Sequence, residues 1–243
     1  MLHRRELLGA FAAYALLAEL SRTSAGQAPC SVRAWLDRQE SLARALAGGS
    51  LSPEAWRREV EALGRQADVE RLIADALPSA ASRALPTYPS RRFLRYRDPD
   101  GTPRAGRYAV VLFEFDRTSV ITPHAHRGMQ SAHLVVRGAL RARTFDRIGE
   151  APGALILRPA GDRRLEAGEV SSIGPERQNV HWFVPLTDRA ATFDVLVTGL
   201  QPGGPDYQVL PVDPLGGTEL RDGTLRAPLL GFEESARRYT ASR

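Results

Sequence analysis

Residues 121–129 read Ile121-Thr122-Pro123-His124-Ala125-His126-Arg127-Gly128-Met129, and Gly138 follows one strand-length later. Side chains alternate across a strand with period two, so a His-x-His pair on one strand places both imidazoles on the same face. A third histidine comes much later, in Arg177-Gln178-Asn179-Val180-His181-Trp182-Phe183. Arriving from a distant strand, it can close a facial set around one metal ion. The chain has only five histidines, and these two segments hold three of them. Three neutral imidazoles bind a divalent first-row metal without cancelling its charge, and they leave open positions. The common non-haem iron triad has a carboxylate at one corner. Here Gln130 and Ser131 follow the pair and supply no negative charge. An anionic ligand atom would then do the neutralising. A thiolate suits that role, because a bound metal lowers a thiol's pKa and holds it deprotonated.

Outward from this stretch the chain reads as short strands separated by turn signals. They cover Tyr108 to Phe115, Gln130 to Arg137, Leu140 to Phe145 and Ala154 to Leu157. After a turn at Pro159-Ala160-Gly161-Asp162 come Arg163 to Glu166, Val170 to Ile173, Val180 to Val184 and Ala191 to Thr198. Many short antiparallel strands predict a mainly β sandwich or jelly roll. No helical segments separate them, as a doubly wound sheet would require. Before the strands, Val32 to Ala47 carries a helical apolar pattern ended by Gly48-Gly49. Ser52-Pro53-Glu54 opens a second helix, with Ser52 as cap and Pro53 at its first position. A third short helix is expected over Val69 to Leu77, then a linker rich in Pro, Ser and Ala through about Ser90. The expected organisation is therefore a leader over 1–28, a helical segment over 30–80, a barrel over 91–225 and a C-terminal tail over 226–243.

The formal charge is +5, but all 33 basic residues are arginine and they are scattered among acids. No basic cluster is interleaved with aromatics, so nucleic-acid binding is not expected. Cys30 is the only cysteine, which excludes an intrachain disulfide and any zinc site needing two cysteines of this chain. At the N-terminus, His3-Arg4-Arg5-Glu6-Leu7-Leu8 precedes the mostly apolar run Gly9 to Ala18. The basic head and short apolar stretch are signal-peptide features, and the paired arginines point to twin-arginine export and a periplasmic location. The alternative is an amphipathic first helix retained in a cytoplasmic protein. Glu19 and Arg22 end the run short of the roughly 20 residues a span needs, so no stable membrane anchor is expected.

The two histidine motifs resemble those of the cupin thiol dioxygenases, the group of plant cysteine oxidases and cysteamine (2-aminoethanethiol) dioxygenase. The first signature of that group is His-x-His-Pro-Gly-Met, a strand ending at Gly, and a strand ending in an aromatic-Asp pair. Here His124-Ala125-His126-Arg127-Gly128-Met129 runs to Gly138, and Phe145-Asp146 ends the next strand. The second signature is Gly-Gly-Asn-Ile-His-x-Phe followed by Leu-Asp-Val-Leu. This chain has Arg177-Gln178-Asn179-Val180-His181-Trp182-Phe183, then Phe193-Asp194-Val195-Leu196. The resemblance covers roughly Tyr108 to Leu210. It implies a cupin-type double-stranded β-helix with an N-terminal helical segment, and Fe(II) held by His124, His126 and His181. It also implies a thiol substrate, small or an N-terminal cysteine, oxidised by dioxygen to a sulfinic acid. Asp194 would match an acidic residue near the active site that helps orient substrate or oxygen. Asn179 is expected to hold the loop carrying His181 or to position that imidazole. His133 matches no family ligand and is expected to line the barrel, with a supporting role behind the ligands as the alternative.

The chain also departs from the pattern. Arg127 replaces the family's Pro, Arg177-Gln178 replaces its Gly-Gly, and Val197-Thr198-Gly199-Leu200 stands where a Pro-Pro-Tyr stretch is usual. Tyr207 lies a little further on. These changes bear on the substrate more than on the metal. A zinc-bound cupin lyase or hydrolase, and a non-catalytic periplasmic cupin that binds a metal or ligand, are the two other readings of the same residues.

Overall fold

The computed structural model describes residues 30–241, so the expected leader over 1–28 lies outside the described residues. Among the described residues three helices come first: α1 (Val32–Ala47), α2 (Pro53–Arg65) and α3 (Val69–Ala74). The Ser31 hydroxyl accepts from the Ala34 amide and the Ser52 hydroxyl from the Ala55 amide, each satisfying one of the free N–H groups at a helix start. Then come β1 (Ser90–Leu94), β2 (Ala109–Phe115), β3 (Ile121–Arg127), β4 (Gln130–Arg137), β5 (Ala139–Ala151) and β6 (Ala154–Glu166). The remaining elements are β7 (Val170–Ile173), β8 (Val180–Pro185), β9 (Ala190–Val197), β10 (Gln208–Pro211), β11 (Thr218–Glu219), β12 (Leu225–Pro228) and α4 (Phe232–Ala241).

The antiparallel pairs are nested: β5 with β6, β4 with β7, β3 with β8, β2 with β9. One long hairpin, folded over on itself, distributes its strands between two sheets ordered β1-β2-β9-β4-β7 and β10-β3-β8-β5-β6-β12-β11. That winding is a jelly roll, the double-stranded β-helix of cupins. The interior between the sheets is split by polarity. One end packs Phe115, Ile121, Val135, Leu140, Leu165 and Phe183; the other gathers the histidines.

The five-stranded sheet is buried on both faces. Val110, Leu112, Ala132, Leu134, Phe193 and Val195 point away from the barrel and pack on Trp35, Leu36, Trp56, Val60 and Leu63 of α1 and α2. The alternate residues, among them His133 and Asp194, point inward. This explains why β4 and β9 are buried along most of their length, an unusual condition for an antiparallel sheet. At the far side of the barrel, Tyr239 of α4 packs edge-on against Trp182 with ring centroids 4.9 Å apart.

Three local expectations change. The turn expected at Pro159-Ala160-Gly161-Asp162 is absent; β6 runs straight through it, because β5 also continues past Phe145 and offers a partner along the whole length. The ladder absorbs the irregularity as a register shift between Thr144↔Gly161 and Phe145↔Pro159, the kind of place where a strand tolerates proline. The third helix stops at Ala74 instead of Leu77. The end of the expected linker forms β1, which pairs with β2. Gly138, between β4 and β5, has φ +69°, and a Cβ there would lie 2.6 Å from the Arg189 carbonyl oxygen. Only glycine fits that turn.

Candidate metal centre

His124 and His126 project into the barrel from β3, two residues apart on one face. His181 on β8 lies directly opposite His124 in the ladder, and opposed residues of an antiparallel pair share a face. Register alone therefore brings the three rings together. Centroids are 4.3 Å apart for His124 and His181, 4.7 Å for His124 and His126, and 5.2 Å for His126 and His181. One nitrogen from each ring lies within 4.8 Å of the others, and all three residues are buried. This is a donor set that one metal ion can reach.

The hydrogen bonds fit that use. His124 Nδ1–H donates to the Thr122 carbonyl at 2.8 Å, which fixes the tautomer and leaves Nε2 with a free lone pair. Among the described residues neither ring nitrogen of His126 has a hydrogen-bond partner, nor does His181 Nδ1. Buried polar atoms without partners are costly, and a cation among them removes that cost. Burial pushes the His124 imidazole down to about 4 and holds His126 and His181 well below their usual range. The rings are thus neutral at pH 7 with lone pairs available. Among the described residues no carboxylate belongs to the donor set.

These shifts give a pH prediction. In the unfolded chain such histidines take up protons near pH 6.5, whereas folded His124 resists until about 4. Between those values the unfolded state holds more protons, so stability rises with pH. The metal-free protein is expected to keep its full stability above pH 6.5 and to lose it as the pH falls towards 4. The loss is up to about 1.4 kcal/mol per pH unit for each histidine. Urea melts of the metal-free protein at pH 7, 6 and 5 measure this, and a flat profile would contradict the packing described.

Asp194 sits behind the donor set rather than in it. It is fully buried; its Oδ2 accepts from His133 Nδ1–H at 2.7 Å, and its Oδ1 has no partner. His133 Nε2 meets the Ser131 hydroxyl at 2.9 Å. The contact follows from register, since His133 lies opposite Asp194 in the β4–β9 ladder. The His133 ring in turn faces His181 at 4.9 Å and Phe183 at 5.1 Å across the barrel. Asp194 therefore lies near the centre without being one of its donors, in contact with His133.

Asn179 is also fully buried. Its side-chain Oδ1 accepts from the His126 amide at 3.3 Å, and its Nδ2 donates to the carbonyls of His126 and Gly174 at 3.0 and 2.9 Å. It ties β3 to the loop before β8. The neighbouring Gln178 has φ 52°, a left-handed conformation that favours glycine and is strained for other residues. The side chain holds it there: Gln178 Oε1 accepts from Arg57 of α2 at 2.6 Å, and the Gln178 amide donates to Asp146 Oδ1 at 2.8 Å. Arg57 also donates to Ser172 through Nε. The helical layer thus clamps the loop that delivers His181, at the place where the resembling family has glycines.

Clefts reach the histidines from the His126 side and from the His124 side. One, of about 820 Å³, touches His126, Met129, Leu51, Arg127, Arg147 and Glu150. The other, of about 540 Å³, touches His124, Thr122, Tyr88, Arg91, Tyr207 and Phe232. Tyr88 and Arg91 are not singled out by the sequence. They belong to a stretch with no helical or strand periodicity, and the one signal there is an aromatic and two arginines ending a Pro-, Ser- and Ala-rich run. Tyr88 packs edge-on against Phe113 at 6.2 Å. Burial pushes its hydroxyl up to about 12, with Arg91 pulling down and Asp194 pushing up.

No protein-family profile matches the chain, and no curated protein matches it. Solved structures do. KdgF from Halomonas sp. aligns over 49% of this chain and 84% of its own, at 21% identity and a TM-score of 0.34. A conserved protein with a double-stranded β-helix domain from Klebsiella pneumoniae aligns over 56% of this chain and 90% of its own, at 17% identity and a TM-score of 0.34. Oxalate oxidase with the substrate analogue glycolate aligns over 54% of this chain and 62% of its own, at 16% identity and a TM-score of 0.36. At these scores the likeness is partial and says nothing about activity; strand order and register define the fold. Among the described residues no helix is long and apolar enough to cross a membrane.

Proposed function

We propose that this protein is an iron-dependent thiol dioxygenase that converts a cysteamine- or cysteine-type thiol to a sulfinic acid. The observation that carries this reading is the carboxylate-free set His124, His126 and His181, buried, neutral and with unpartnered ring nitrogens. When bound there, ferrous iron supplies the redox chemistry by which both atoms of dioxygen join the sulfur of a thiolate. The chain's own residues set the conditions. Three neutral ligands leave a site of net positive charge, which selects an anionic donor such as a thiolate over a neutral alcohol. Asn179 fixes the backbone of His126 against the loop before His181. His133, held by Asp194 and Ser131, closes the barrel behind His181. Phe183 and the apolar cluster beneath it exclude water from that side. The leader expected over 1–28 would place this chemistry in the periplasm.

The test is to load the purified protein with ferrous iron and supply cysteamine, cysteine and peptides beginning with cysteine. Oxygen uptake matching thiol consumption one to one, with a product carrying two added oxygen atoms, is the expected result. No thiol-dependent oxygen uptake would overturn the proposal. Stoichiometric zinc in the natively produced protein, with no oxygen consumption, would favour the hydrolytic reading.

A further inference from the structure

The loop between β7 and β8 delivers His181, and one side chain of the helical layer grips both of its ends. Arg57 lies on α2, next to the fully buried Trp56 that packs this helix on the five-stranded sheet. Near the end of β7, its guanidinium donates through Nε to the Ser172 hydroxyl and through Nη2 to the Ser172 carbonyl, each at 3.0 Å. Nη2 also donates to Gln178 Oε1 at 2.6 Å, two residues before β8 begins. Glu54 pairs with Nη1 at 3.4 Å, and Glu61 accepts from the Ser172 hydroxyl. The Arg57 side chain is 11% exposed, and its planar fork holds these acceptors in a fixed geometry.

The gripped residue is the strained one. Among the described residues Gln178 is the only non-glycine with a positive φ, at 52°. Such a conformation persists where the surroundings over-determine it. Asn179 follows directly and bonds the backbone of His126 through both side-chain atoms. His181 is two residues further on. Relaxation of Gln178 would therefore shift Asn179 and His181 against β3 and change the spacing of the donor set.

We propose that Arg57 is a positioning residue for the metal centre: by holding Gln178 in its left-handed conformation, it sets His181 against His124 and His126. Such a role rests on a metal at the three histidines and is independent of which substrate enters. It makes α2 part of the metal site, although α2 supplies no donor.

The test titrates cobalt(II) into the purified metal-free full chain and follows its ligand-field absorption, with thermal melts of each variant alongside. Arg57→Ala is expected to weaken cobalt binding roughly 10- to 100-fold, the range for loss of an outer partner of a metal ligand. Arg57→Lys, a point charge that cannot span both ends of the loop, is expected to recover only part of that loss. In the Gln178→Gly background the same Arg57→Ala substitution is expected to cost less than about threefold, because glycine adopts the left-handed conformation unaided. A contact that merely stabilises the fold would weaken binding equally in both backgrounds. Should Arg57→Ala fail to fold, Gln178→Ala and Gln178→Gly decide the matter. Both lack the acceptor for Arg57, and the alanine variant is expected to bind cobalt about tenfold more weakly than the glycine variant. Wild-type affinity in Arg57→Ala, whatever its melting temperature, overturns the proposal. So does an equal loss in both backgrounds, or equal binding by the alanine and glycine variants. Absence of cobalt binding by the wild-type protein overturns the metal centre itself, and the role of Arg57 with it.

Discussion

Replacing His181 by alanine is expected to lower metal affinity by more than the roughly 10- to 100-fold that follows loss of an outer-shell partner. Thiol-dependent oxygen uptake should disappear with it. The reason is geometric: His181 is the one donor contributed by β8, and the two on β3 cannot enclose an ion from one side. The effect on stability separates into two parts. At metal concentrations near 1,000 times the dissociation constant, the wild-type protein gains about 4 kcal/mol, and His181→Ala should lose nearly all of that gain. In the metal-free protein the same substitution removes packed atoms but also an unpartnered buried nitrogen, and these act in opposite directions. Thermal melts with and without metal measure both. A variant that is still stabilised by metal to the wild-type extent would show that the ion binds elsewhere.

His133→Phe is expected to destabilise the protein by about 3–5 kcal/mol, the range for removing one member of a buried, hydrogen-bonded pair of ionisable groups. The substitution leaves Asp194 at the centre of the sheet with both oxygens unpartnered, since Oδ1 has no partner even in the native protein. The double variant His133→Phe/Asp194→Val removes both polar groups, and replacing both partners by apolar groups is close to neutral. It should therefore be more stable than His133→Phe alone, the non-additivity expected of two residues in contact. Denaturant melts of the wild type, both singles and the double close this cycle. If the double variant is no more stable than the single, the His133–Asp194 contact does not carry the energy assigned to it. Metal affinity measured on the double variant then shows how far this pair positions His181.

Much of the site is legible in the sequence because a strand has one period and a ladder has one register. His124 and His126 are two apart, so they must share a face. Asn179-Val180-His181 opens a strand, and pairing β3 with β8 does the rest. The helix starts are equally local: Ser52-Pro53 carries both the cap and the first turn. What depends on distant pairing is not legible. Asp194 and His133 are 61 positions apart, and nothing near either residue announces the other. The expected turn at Pro159 fails because its own residues favour a turn, while the continuation of β5 overrides them. The double burial of β4 and β9 hides the alternation that would mark inward and outward faces. Tyr88 and Arg91 carry only a faint local signal, the end of a Pro-, Ser- and Ala-rich run; β1 joining β2 places them beside the His124 cleft.

The most direct measurement is a crystal structure of the ferrous protein grown without oxygen, with anomalous data collected at the iron edge. The expected result is one anomalous peak between β3 and β8, bonded to His124, His126 and His181, with Asp194 still against His133. A peak elsewhere, rings turned away from a common centre, or the Asp194 carboxylate on the iron would contradict the account.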